Sequence, residues 1–191
     1  MNSFAFDWAL RQRSASHVSL FILANLPVPR VGMLADCFVA HAVLRLACNH
    51  RGFQPLWTEQ MGRAWREMSP SYSWPVIAEE PDRWRLRAAV DAVVACAYGL
   101  DRADYQHVLA SFSHKSFKSA PDLCVAAFDE LSAKGLEAFY RDHDPYADIP
   151  LVASVAQPAV MARAERPIAP AVPDLLRRSR VRSTLPAGSD R

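Results

Sequence analysis

The chain has 191 residues, enough for one domain of ordinary size with a hydrophobic core. Apolar residues make up 51%, and 22 basic side chains nearly balance 20 acidic ones, which suits a globular protein and excludes a global basic field. The charge is unevenly placed: residues 156–191 hold seven Arg and three acids, leaving 15 basic against 17 acidic groups in the remainder.

Residues 2–29 change character midway. Phe4, Trp8 and Arg11 fall along one side of a 3.6-residue repeat, with Phe6 and Leu10 beside them, so a short helix is expected. Asn2 and Ser3 can cap its start, and Arg11 and Arg13 suit the negative end of its dipole. After a polar turn that includes His17, residues 18–26 are mostly aliphatic and stop at Pro27 and Pro29, which reads as a short β-strand.

The rest reads as helices. One is expected over residues 34–49, ending before Gly52, and a weaker one over 55–68, where Trp57, Met61, Trp65 and Met68 recur at helical steps. Residues 69–81 are a Pro/Ser/aromatic connector. The clearest helix spans 82–98, with Gly99 as a left-handed cap, Leu100 folding back on the last turn, and Asp101 capping the next short helix. Pro121 opens a helix reaching about Asp142, with Phe128, Leu131 and Phe139 on one face and a break expected at Gly135. Residues 152–191 read as a disordered basic tail, rich in proline, with a cluster of Arg177, Arg178, Arg180 and Arg182. The expected fold is therefore mainly α, with one short β element near the N-terminus.

Little of this carries catalytic chemistry. There is no Gly-x-Ser-x-Gly and no Gly-rich phosphate loop. Cys37, His41 and Cys48 share a helix face, but eleven residues set the two thiols roughly 16 Å apart, too far for one ion. The stretch Asp142-His143-Asp144-Pro145-Tyr146 reads as a helix-ending turn. Cys37, Cys48, Cys96 and Cys124 read as small buried residues of helices in a reducing cytoplasm. No secretory leader or membrane span is expected. Arg11, Gln12, Arg13 and His17 form the best contact patch, because Arg and Gln can each make two hydrogen bonds to a guanine or adenine edge. Arg30, Lys115 and Lys118 are weaker candidates.

Residues 2–29 resemble the block "NS…FD(Y/W)..RQ…H…(F/Y)F…LPVP" in the DNA-reading part of Eco57I-like adenine-specific DNA methyltransferases of restriction-modification and phage-defence systems. Asn2, Ser3, Phe6, Asp7, Trp8, Arg11, Gln12, His17, Phe21, Leu26, Pro27, Val28 and Pro29 carry the likeness. Family members often have Gly-Thr before the histidine; here it is Ala15-Ser16. Residues 85–100 resemble the family's "LRAELDA..A.LYGL" helix, and 101–112 the helix after it. Residues 128–131, 135–139 and 148–151 resemble the C-terminal end of such proteins.

The resemblance implies that residues 1–151 are the target-recognition side of such an enzyme. Its S-adenosylmethionine pocket and Asn/Asp-Pro-Pro-Tyr/Phe loop are not found in the sequence. No catalytic, cofactor-binding or metal residue is therefore expected in this chain, and by itself it should be inactive. The expected partners are double-stranded DNA and a separate methyltransferase catalytic chain or domain, with no membrane. The chain would be a split subunit or a truncated reading frame. DNA contacts would fall to Arg11, Gln12, Arg13, His17 and Arg30. The competing reading is a small helical protein-interaction module with no DNA role, docking through Trp57, Trp65, Tyr72 and Trp74.

Overall fold

The computed structural model describes residues 3–14, 18–29, 32–68, 74–75 and 77–151. The expected basic tail, His17, Arg30 and Tyr72 lie outside the described residues. In chain order the elements are α1 (Phe4–Arg11), α2 (Leu20–Ala24), α3 (Met33–Ala47), a 3-10 turn (Arg51–Phe53), α4 (Gln54–Met61), α5 (Trp65–Met68), α6 (Glu80–Ala97), α7 (Arg102–Ala110), α8 (Ala120–Lys134) and α9 (Leu136–His143). Among the described residues no helix is long and apolar enough to cross a membrane.

The expected β element is corrected. Residues 20–24 form α2, started by Ser19, whose hydroxyl accepts from the Ile22 N–H at 3.3 Å. A lone strand leaves its N–H and C=O groups without a ladder, and no strand exists among the described residues to supply one. Only Val18 and Ile22 in this run are β-branched; Leu20, Leu23 and Ala24 are good helix formers. A helical turn satisfies the backbone locally.

The helix boundaries follow local chemistry. The Ser3 hydroxyl caps α1 by accepting from the Phe6 N–H at 3.2 Å. Gly99, at φ +71, ends α6 in a Schellman arrangement: its own N–H reaches the Cys96 carbonyl and the Leu100 N–H reaches that of Ala95. Gly135, at φ +77, separates α8 from α9. The single weak helix expected over 55–68 is two, with the chain turning at Gly62.

Helix α6 is the hub. It packs most extensively on α8 and also against α3, α1 and α9. Its buried face carries Ala88, Ala89, Ala92 and Ala95, and these short side chains let the neighbouring helices approach closely. Helix α1 presents Ala5, Phe6, Trp8 and Ala9 to this core. A second core joins Cys48, Trp57, Met61 and Trp65 to Tyr146, Ile149 and Leu151. Trp57 and Trp65 are thus core residues, 0% and 4% exposed, and are not at the surface as the competing docking reading requires. Cys48 and Cys124 are buried and Cys37 partly so, but Cys96 is exposed; Cys48 sits just beyond the end of α3.

Candidate nucleic-acid interface

Helix α1 turns its apolar face inward, which leaves its last turn at the surface with Arg11 and Gln12 exposed. Arg11 is oriented from two sides. Its Nε and Nη2 donate to Asp7 Oδ2 at 3.2 and 2.9 Å. Its guanidinium lies 4.6 Å over the Phe112 ring. An exposed pair of this i,i+4 kind contributes only about 0.3–0.5 kcal/mol, so Arg11 can exchange Asp7 for a stronger anion. Arg13 is turned another way: its Nη1 donates to the Asn25 carbonyl at 2.7 Å and ties the end of α1 to the exit of α2.

Phe112 lies just past the end of α7, at the last residue of the stretch 101–112 that resembles a family helix. Phe4 packs on Phe112 and on His114, with ring centroids 5.0 and 5.1 Å apart. Among the described residues, His114 is the non-glycine residue at positive φ, 45°, a conformation that costs on the order of 1 kcal/mol. It is held there by Nε2–H, which donates to the Leu109 carbonyl at 2.7 Å; a carbonyl only accepts, so the proton is on that nitrogen. This geometry closes α7 and packs His114 against Phe4 at the start of α1. Lys118 follows Phe117, which stacks on Trp84 at 4.8 Å and 9°. Lys115 and Lys118 are exposed, and neither forms an ion pair among the described residues.

The structure therefore leaves Arg11 and Gln12 exposed at the end of α1, rests Arg11 on Phe112 and turns Arg13 toward α2. His17 and Arg30 fall outside the described residues. Phe112 and His114 were missed by the sequence reading. The usable signal was Phe112 itself, an aromatic residue beside a run of Ser, His and Lys.

A second polar cluster is buried. His41 Nδ1 lies 2.7 Å from Asp144 Oδ2 and 2.9 Å from the Tyr140 hydroxyl. Arg45 Nη1 donates to the His143 carbonyl at 2.7 Å and approaches Asp144 Oδ1 at 3.5 Å. Asp144 Oδ1 also accepts from the Tyr146 N–H at 3.0 Å, which folds the turn after α9. An Asp–His pair of this kind is used elsewhere for proton transfer, but His41 is 0% exposed and its Nε2 is enclosed without a partner. No substrate reaches it, so it works as a tie between α3 and the turn after α9. Among the described residues no three His, Cys, Asp or Glu side chains converge as metal ligands.

No protein-family model, curated protein or solved structure matches the chain. The likeness to Eco57I-like methyltransferases rests on the residues quoted above alone.

Proposed function

We propose that this chain is a DNA-contacting, non-catalytic part of an Eco57I-like N6-adenine DNA methyltransferase of a restriction-modification or phage-defence system. A separate catalytic chain or domain binds S-adenosylmethionine and transfers the methyl group. A cytoplasmic setting goes with this reading, as do four cysteines that form no disulfide.

The observation that carries the proposal is the contact of Arg11 with Phe112. It joins two stretches that carry the family likeness separately, residues 2–29 and 101–112. In this reading Lys115 and Lys118 hold phosphates by charge. Arg11 leaves Asp7 for a phosphate or a guanine edge, and the Gln12 amide can read adenine by two hydrogen bonds. Flipping a base out of the duplex costs a few kcal/mol, which such flanking contacts help to supply.

Affinity for duplex DNA measured against salt tests this. Deleting residues 156–191 should flatten the log–log slope by about 3.6, four phosphates at about 0.9 each. Lys115→Ala with Lys118→Ala should flatten it by about 1.8. Arg11→Ala with Gln12→Ala should change the slope by less than about 1, yet abolish preference for a cognate site when the catalytic domain is supplied in trans. Full sequence preference in that double variant would show these residues to be only a solvated helix end.

A further inference from the structure

Asp91 lies in the middle of α6, buried, and its carboxylate meets the start of α1: it accepts from the Phe4 N–H at 3.0 and 3.3 Å. No cationic side chain faces it among the described residues. From α7 comes the Tyr105 hydroxyl and from α8 the Cys124 thiol, with Sγ 3.9 Å from Oδ2. Burial pushes both of those groups up, so they stay neutral near neutral pH. From α1 come only the N–H groups of Phe4 and Ala5; Asp7 of that helix is paired at the surface with Arg11. On α6 itself Arg87 is paired with Glu80. Helices α3 and α9 pack on α6 but bring no charge to Asp91, and His41 of α3 is bound to Asp144.

We infer that α1 is a proton-linked latch: a proton on Asp91 favours α1 docked on α6 and α7, and loss of that proton favours α1 lifted, with the rest of the helical body folded in both states. Docked, an ionised Asp91 is cut off from water and answered only by N–H groups and the partial positive charge of a helix start. Lifted, the same carboxylate meets solvent. Ionisation and lifting therefore go together. Burial outweighs the hydrogen bonds in the docked state and raises the carboxyl from 3.8 to about 7. The sign follows: docking is strongest below about pH 4, where Asp91 is neutral in both states, weakens up to about pH 7, and is constant above it. Helix α1 is suited to separate movement. It has eight residues, too few to hold helical form by itself, and it touches the body through one apolar face. The packing of α6 on α8 and α3 does not pass through it. Arg11 and Gln12 ride on α1, so the seat of Arg11 on Phe112 exists only with the latch closed. The latch does not rest on the proposed DNA role, and its test involves no DNA.

Hydrogen exchange of the full chain, followed by mass spectrometry from about pH 5 to 8 and corrected for the intrinsic exchange rate, tests the inference. The opening equilibrium of residues 4–11 should rise about tenfold per pH unit up to about pH 7 and then level off. The amides of α6 and α8 should stay protected over the same range. Asp91→Asn cannot ionise, and its residues 4–11 should open to the same extent at every pH. The unsubstituted protein decides the matter even if that variant folds poorly. Opening of residues 4–11 that does not change with pH overturns the inference. So does opening of α6 and α8 in step with α1, which would be global unfolding with no latch. A pH dependence retained in a folded Asp91→Asn variant would place the controlling proton elsewhere and equally overturn it.

Discussion

The backbone N–H of Phe4, at the start of α1, donates to the Asp91 carboxylate in the middle of α6, at 3.0 Å to Oδ1 and 3.3 Å to Oδ2. A helix start has free N–H groups and a partial positive charge, and it is usually answered by its own capping residue. Here Ser3 satisfies one N–H and a side chain 87 residues away answers another. Asp91 is 4% exposed and shares its pocket with Tyr105 and the Cys124 thiol, whose Sγ is 3.9 Å away. The angle at which α1 leaves the body, and with it the position of Arg11, is thus fixed from α6.

This arrangement predicts a pH dependence. Burial pushes the Asp91 carboxyl up from 3.8 to about 7, and the Phe4 N–H pulls it only partly back. A group raised in this way favours folding most below pH 3.8, where it is neutral in both states. Its contribution is lost progressively as pH rises from about 4 to about 7, with a total effect on the order of a few kcal/mol. Asp91→Asn keeps an acceptor for the Phe4 N–H and cannot ionise. Urea midpoints between pH 4 and 9 should therefore fall more steeply for the unsubstituted protein than for Asp91→Asn. Parallel curves would show that the carboxylate bears no such burden.

The His41–Asp144 tie predicts a large loss on one substitution. Asp144→Ala takes the carboxylate from the buried His41, leaving its Nδ1 only the Tyr140 hydroxyl, and frees Arg45 from its acid, a change expected to cost about 3 kcal/mol. Asp144→Asn, which retains acceptor oxygen, should cost less. Equilibrium urea unfolding measures both, and a double-mutant cycle with His41→Phe should give a coupling above about 1 kcal/mol. Additive costs in that cycle would mean that the two residues do not act as a unit.

Trp57 anchors the second core, with Trp65, Trp74 and Tyr146 packed edge-on around it at 5.7–5.9 Å between centroids. Trp57→Ala should cost about 3–5 kcal/mol through the cavity it leaves. The effect should be regional first: residues 144–151 should lose amide-exchange protection while α6 and α8 keep theirs, because those two helices belong to the other core. Hydrogen exchange followed by mass spectrometry reads this directly, and a uniform loss across all helices would show one cooperative unit.

Much of the helical frame was legible one segment at a time. The cap at Ser3, the stop at Gly99, the cap at Asp101 and the break at Gly135 all depend on backbone groups within a few residues, so spacing and residue type determine them. Sequence also put Arg11 and Gln12 at the end of a short helix, but gave no sign that Arg11 would rest on Phe112, since the two are far apart in the chain.

Residues 18–26 mark where local reading fails. Their short apolar run bounded by prolines resembles a buried strand, yet a strand is stable only if another segment lends it a ladder, and that is decided by the whole fold. The same limit hid the Asp91 cap and the His41–Asp144 tie. Asp144 read as part of a turn and His41 as a core residue, and each reading was locally sound. Only tertiary packing brings them within 2.7 Å, where, away from water, His41 Nδ1 and the Asp144 carboxylate answer each other.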